Sequence, residues 1–347
     1  MTPTASQNFE IAPLLGSVFD GRTLTRDEAR DVMGRLMDGQ LSQMQAAALL
    51  AALRTRGETV DEVVGFAEAM RARAVKVTPV VDGPLLDTCG TGGTGFSSLN
   101  ISTTAVFVAA ADGVHVAKHG NRGVTKRSGS ADVLEALGVR LEQSPERLAQ
   151  SLQLTGVAFI YARTHHPSMK FVAPIRADLQ ARTIFNSLGP LTNPADATRQ
   201  LMGVFAPELT RQLAQVLGGL GTERALVVYG DGLDDFTVSG ESLVAELLLG
   251  GEVREYTVVP EDVGLARRPK EELAGGDPAA NAVTTRAILS GDERGAKRDV
   301  VLFNAGAALY LADRAEDLRE GVARASELVD SGAAAAKLDE FIEFSRS

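Results

Sequence analysis

The chain has 347 residues, a formal net charge of -10, 44% hydrophobic and 23% charged residues, and no Trp. Such an acidic balance repels a DNA backbone, and 5% aromatic content leaves few rings for stacking single-stranded bases. A single cysteine, Cys89, closes no internal disulfide; the start lacks a basic segment followed by an apolar core; and runs such as 101–111 are too short for a bilayer. The expected compartment is the cytoplasm.

The polar residues up to about Ile11 are expected to fray. Three helix starts follow, each with the spacing of a capping box: Thr25 with Glu28, Ser42 with Gln45, and Thr59 with Glu62. Gly39 and Gly57 end the first two helices. Val32 and Leu36, then Leu49 and Leu53, then Val63, Phe66 and Met70 recur at helical spacing, so each helix buries one face. This helical unit ends near Val75 and carries no chemistry of its own.

From Leu85 onward, short apolar runs alternate with helices. Leu85 and Leu86 enter one glycine-rich loop, and Val114 to Ala117 enter a second. Ser130 is expected to cap a helix that Gly138 stops, and Ser144-Pro145 opens another. The runs 157–161 and 225–229 read as buried strands. Such alternation argues for a largely parallel sheet covered by helices, with ligands at the carboxyl ends of its strands. Residues 165–194, rich in Pro and Asn, read as irregular, and the stretch after Asp277 as alanine-rich helix.

The chemistry concentrates between Asp87 and Ala131. Gly90-Thr91-Gly92-Gly93-Thr94-Gly95 and the segment from Gly120 to Gly129 can each turn with positive φ and present N–H groups to an anion. Between Thr88 and Ala131 the only acid is Asp112, whereas Lys118, Arg122, Lys126 and Arg127 all fall there. Two anion seats with four cations point to a ligand carrying two phosphate groups. The first loop also matches a dinucleotide fingerprint, but Asp112 precedes the second strand instead of ending it, which counts against a nicotinamide or flavin site. Zinc spacing is absent, and Cys89 reads as a packed residue, not a nucleophile. Asp234 and Asp235 follow a strand; with a diphosphate ligand, they read as holders of Mg2+.

These segments, with Asn100 to Thr103, Lys118 to Arg122, Ser128 to Gly138, Arg182 to Asn186 and Leu188 to Pro194, resemble the anthranilate phosphoribosyltransferases over nearly the whole chain. The resemblance implies an α/β architecture: a small α-helical domain (residues 1–75 and 168–190) beside a larger α/β domain (76–167 and 191–347) with a mostly parallel sheet flanked by helices. It implies transfer of the phosphoribosyl group of phosphoribosyl pyrophosphate (PRPP) to anthranilate in tryptophan biosynthesis, with Mg2+ as cofactor, a cleft that closes between domains, and a homodimer. Gly90, Gly93, Thr94, Ser98, Asn100, Ile101, Ser102 and Thr103 would hold the pyrophosphate side of PRPP. Lys118, His119, Gly120, Asn121, Arg122, Gly123, Lys126 and Ser130 would hold its ribose and 5′-phosphate. Anthranilate would meet Gly90, Asn121, Arg176, His119 and His166, with Arg176 facing its carboxylate, while Ser102, Asp234 and Asp235 would hold the metal.

No single general base is expected, because the arylamine is already nucleophilic and the leaving pyrophosphate needs charge stabilisation. Two positions depart from the family pattern: Thr94 stands where an Asp is usual, and Asp235 where a Glu is usual. Mg2+-dependent activity is expected to survive both. A pyrimidine nucleoside phosphorylase and a non-catalytic nucleic-acid binder of the same fold are the rival readings. Asp234 and Asp235 oppose the first, and the net charge opposes the second.

Overall fold

The computed structural model describes residues 10–123 and 127–347; the polar start and Lys126 lie outside the described residues. The chain divides into two units, one formed by the chain up to Ala74 with His166–Leu188, the other by Val75–His165 with Gly189–Ser347.

The first unit is helical. Its main helices are α1 (Ile11–Phe19), α2 (Arg26–Met37), α3 (Gln43–Arg56) and α4 (Val60–Arg73). All three capping boxes form, at Thr25, Ser42 and Thr59. α1 is a helix that the capping signals do not announce, since its Glu10 N-cap makes no side-chain bond. Glu62 is fully buried and ties the unit together: its carboxylate accepts from the backbone N–H groups of Leu24 and Thr59 and from Arg56, whose Nη2 lies 2.5 Å away. Residues 165–194, expected to be irregular, instead hold short helical turns, among them Ala173–Leu179 and Phe185–Leu188 in this unit. A proline within the first turn of Ala173–Leu179 lacks only an N–H that the helix would leave unbonded.

The second unit is built on one seven-stranded sheet: β1 (Leu85–Gly90), β2 (His115–Gly120), β3 (Val157–Tyr161), β4 (Arg199–Gly203), β5 (Arg224–Gly230), β6 (Ser242–Leu247) and β7 (Val253–Val258), in the order β3-β2-β1-β4-β5-β6-β7. Pairing is parallel from β3 through β5 and antiparallel for β5–β6 and β6–β7. α5 (Ile101–Ala111), α6 (Ser130–Leu137) and α7 (Pro145–Thr155) connect the first strands. The large core joins α5, one face of the sheet and the helix Ala296–Leu311, with Phe107, Phe236 and Phe303 at its centre. A smaller cluster, with Leu85, Ala117, Leu148 and Ile160, packs on the opposite face.

Two boundaries differ from the sequence reading. β2 does not stop at Ala117; Lys118, His119 and Gly120 are strand residues in register with Phe159, Ile160 and Tyr161 of β3. Pairing with β3 overrides the loop character of a Lys-His-Gly run. Ser130 is the first residue of α6, not its cap; the Gly129 amide donates to the Asp132 carboxylate instead, at 2.8 Å.

Candidate active site

Four parallel strands of the sheet end in glycine, at Gly90, Gly120, Gly203 and Gly230. Each of these ends is too crowded for a side chain. A Cβ on Gly203 would lie 1.7 Å from the Asp234 carbonyl oxygen, and one on Gly90 would lie 2.2 Å from the Asp234 carboxylate. One on Gly230 would meet the Asp235 carbonyl oxygen at 2.3 Å, and one on Gly120 the Ser130 hydroxyl at 2.2 Å. Small residues here let the loop bearing Asp234 and Asp235 lie directly on the strand ends. Both acids are therefore buried, at 4% and 9% exposure, and are not the surface pair that a loop position permits.

The first glycine loop folds around Asp234. The Gly92 amide donates to its Oδ2 at 2.8 Å, and the Thr91 amide donates to the Gly203 carbonyl at 3.0 Å. Gly92, Gly93 and Gly95 all have φ between 68° and 80°, a region open to glycine. Thr94 makes a local bond, its hydroxyl donating to the Phe96 carbonyl at 3.4 Å. Ser98 is buried and bridges to Ala274. Asn100 stands at the start of α5 without capping it. Its side chain instead joins the two glycine segments: Nδ2 donates to the Ser128 carbonyl, and Oδ1 accepts from the Ser128 hydroxyl, each at 3.1 Å. Ile101 is buried and its amide donates to Leu99, while Thr103 is buried in the same first turn.

Lys118 departs most from expectation. It does not reach out of a loop; it is 3% exposed, and its Nζ donates to the Thr88 carbonyl at 2.5 Å and to Ser102 Oγ at 3.1 Å. Burial pushes its ammonium below the ordinary lysine value, while the negative fields of Asp87, Asp235 and Asp234 act in the opposite direction. His119 Nδ1 lies 3.1 Å from the Gly189 carbonyl oxygen. Cys89 is buried, with its thiol held well above the ordinary value by desolvation, which makes it inert.

The positive balance of the second segment is smaller than its sequence suggests. Arg122 pairs with Asp132 at 3.0 Å and Glu135 at 2.8 Å, two acids that lie just beyond the acid-free window. Asp132 also accepts from the Gly123 amide at 2.8 Å, so it shapes the loop as well as the helix start. Asn121 accepts on its carbonyl from the Ser130 hydroxyl at 3.2 Å. Arg176 and His166 belong to the helical unit. Desolvation lowers the Arg176 pKa, and the Phe185 ring lies 5.9 Å from its guanidinium. Sequence reasoning missed Asp132, Gly203 and Gly230. A glycine at the last residue of four of the five parallel strands is the signal that would have found the last two.

Among the described residues, no three His, Cys, Asp or Glu side chains converge as a protein-only metal cage. The donors present are oxygen atoms: two buried carboxylates, with Ser102 nearby through Lys118. That set suits a hard cation which takes one or two carboxylates and completes its shell with phosphate oxygens and water.

Comparison with known proteins agrees with this architecture. Residues 82–335 match the model of a glycosyl transferase family a/b domain, and residues 12–74 that of its helical bundle domain. The chain is 53% identical to an anthranilate phosphoribosyltransferase of Rubrobacter xylanophilus, over 94% of this chain and 95% of that one. It superposes on the crystal structure of the Thermus thermophilus anthranilate phosphoribosyltransferase with a TM-score of 0.91 and 46% identity, covering 96% and 99% of the two chains. At 24% identity and TM-score 0.88, the enzyme of Saccharomyces cerevisiae in complex with PRPP and Mg has the same fold, with 96% and 98% covered. With this identity sustained over nearly its full length, the chain belongs to the anthranilate phosphoribosyltransferase family.

Proposed function

We propose that this protein transfers the phosphoribosyl group of PRPP to the amine of anthranilate, releasing pyrophosphate, as a step of tryptophan biosynthesis. The observation that carries this reading is the buried pair Asp234 and Asp235 packed on the glycine ends of β1, β4 and β5, with the Gly92 amide bonded to Asp234. The glycine ends let the paired acids sit beside the first glycine turn, so that a cation they hold would lie next to the phosphates of the sugar donor. In this reading the turn from Gly90 to Thr94 and the start of α5, from Ser98 to Thr103, receive the pyrophosphate. The loop from Gly120 to Gly123, with Lys126 and Ser130, receives the ribose and its 5′-phosphate. Lys118 supports Ser102 from below instead of meeting the 5′-phosphate directly.

The residues present fit Mg2+: Asp234 and Asp235 would hold it with Ser102, and the bound cation neutralises charge on the departing pyrophosphate. The α/β domain thus carries the sugar donor. The helical domain supplies Arg176, whose partly desolvated guanidinium suits the carboxylate of anthranilate, together with His166. A cytoplasmic homodimer completes the proposal.

Chemistry by positioning and electrostatics needs no covalent intermediate and no strong base. Anthranilate fluorescence tests it directly. The signal falls when PRPP and Mg2+ are added together, with one pyrophosphate released per anthranilate consumed. No fall at any Mg2+ concentration refutes the proposal. Arg176→Ala raises the KM for anthranilate far more than that for PRPP, and an equal rise for both shows that Arg176 does not face the carboxylate.

A further inference from the structure

β1 and β2 carry the two glycine ends, yet among the described residues their ladder registers only Leu85 with His115 and Leu86 with Val116. Beyond that point each strand continues with its other neighbour, β1 with β4 as far as Gly90 and β2 with β3 as far as Gly120. The two strands part, and backbone groups that would have bonded across the gap need other partners. Side chains supply them. The His119 amide donates to Asp87 Oδ1 at 3.1 Å, Lys118 Nζ donates to the Thr88 carbonyl at 2.5 Å, and Asn193 Nδ2 donates to the Ala117 carbonyl at 2.8 Å.

Alternation along the strands puts these struts on opposite faces. Lys118 and Thr88 lie on the α5 side with Leu86 and Val116, whereas Asp87 lies on the other side with Leu85 and Ala117. Asp87 is completely buried, three residues before Gly90, and its bond goes to the residue just before Gly120. A carboxylate without solvent is costly unless hydrogen bonds and an opposite charge offset it, here the His119 amide, Asn193 and the field of Lys118.

We propose that Asp87 is a positioning residue for PRPP: by capturing the His119 amide across the parted strands, it sets the spacing between Gly90 and Gly120. The inference rests on the reading that one PRPP spans both strand ends. Asp87 touches no substrate. It fixes where β2 delivers Gly120 and Asn121 relative to the first glycine turn, so its loss falls chiefly on the sugar donor, which spans both ends, and less on the arylamine, whose carboxylate Arg176 would face.

The test compares Asp87→Asn, which keeps an acceptor for the amide, with Asp87→Leu, which fills similar volume and has none. Wild-type turnover of anthranilate with PRPP and Mg2+ is measured first; its absence defeats the functional reading, not this inference alone. With turnover established, Asp87→Leu raises the KM for PRPP about tenfold to a hundredfold, on the scale of an ångström-sized misplacement of substrate-positioning groups. It weakens the PRPP-induced rise in melting temperature in parallel and raises the KM for anthranilate severalfold less than that for PRPP. Asp87→Asn restores the KM for PRPP to within about threefold of wild type, since its side-chain oxygen accepts the same bond. Should Asp87→Leu not fold, Asp87→Ala is read in the same way. The proposal is overturned by a folded Leu or Ala variant with an unchanged KM for PRPP, by equal losses for both substrates, or by an Asn variant as impaired as Leu. It is also overturned if neither Leu nor Ala folds, which makes Asp87 a determinant of stability only.

Discussion

The two ends of one sheet handle charge in opposite ways. At the end where β4 and β5 begin, Arg199 and Arg224 meet Asp313, and the fully buried Glu246 accepts from Arg254 at 2.8 Å and from the Tyr310 hydroxyl at 2.7 Å. Arg224 also lies 3.8 Å from Glu246 and over the Tyr310 ring. Acids and bases there answer one another within the protein, and nothing more is needed to complete the network. At the opposite end, four strands finish in glycine, and the buried Lys118 ammonium lies in the negative fields of Asp87, Asp235 and Asp234. There the buried Asp234 and Asp235 suit a cation, and the neighbouring glycine turns suit phosphate. One end holds the fold; the other is built to be completed by a ligand.

Substitutions at the two ends separate these roles. The largest effect is expected from Asp234→Ala, which removes a proposed metal ligand and the acceptor of the Gly92 amide. It lowers kcat/KM by about a thousandfold, on the scale of losing a group that stabilises developing charge, with a stability loss of no more than about 1–3 kcal/mol from the orphaned Gly92 amide. A mere structural role for Asp234 would reverse that pattern.

Glu246→Ala is the counterpart at the opposite end. Removing one partner of a buried charge network costs about 3–5 kcal/mol in denaturant unfolding, while both KM values of the folded enzyme stay as in wild type. A shifted KM for PRPP would show that the two ends are coupled.

Asp87 supplies a pH-dependent comparison of about 3 kcal/mol. Burial is the main cause that raises its pKa from 3.8 to about 6, although Asn193, the charge of Lys118 and the His119 amide pull it down. Between those pH values the folded protein keeps a proton that the unfolded chain has released, so this group costs stability as pH rises through the window. Asp87→Asn removes that cost. Its stability relative to wild type therefore improves by about 3 kcal/mol from pH 3 to pH 7, measured by urea unfolding. A difference that is flat with pH contradicts the burial account.

Glu135→Ala is expected to do least, because its pair with Arg122 is exposed to solvent and screened. The melting temperature stays within about 2 °C of wild type. A larger fall would mean that the Arg122 pairs hold the second loop in place.

What the sequence revealed depended on how local each signal was. The capping boxes at Thr25, Ser42 and Thr59 need only four consecutive residues, and all three form. The glycines near Gly90 and Gly120 were visible as phosphate-type turns, and family motifs extended the reading to Asp234 and Asp235. The antiparallel strands β6 and β7 were not visible, since their place depends on pairing with β5, a long-range contact. Nor was the burial of Lys118, because a lysine beside a glycine reads as exposed until the neighbouring strand is known. Arg122 reads as a cation for the ligand because its partners Asp132 and Glu135 sit on the following helix, one and four residues past the acid-poor segment. The collisions that reserve Gly203 and Gly230 for glycine exist only once the Asp234–Asp235 loop lies across them.

The most direct test is the crystal structure of the protein with PRPP and Mg2+. The diphosphate should lie against the ends of β1 and β2, with Asp234 and Asp235 at the metal and the Gly120 to Gly123 backbone at the 5′-phosphate. PRPP bound at the Arg199 and Arg224 end of the sheet, or both glycine turns empty at saturating PRPP, would contradict the account.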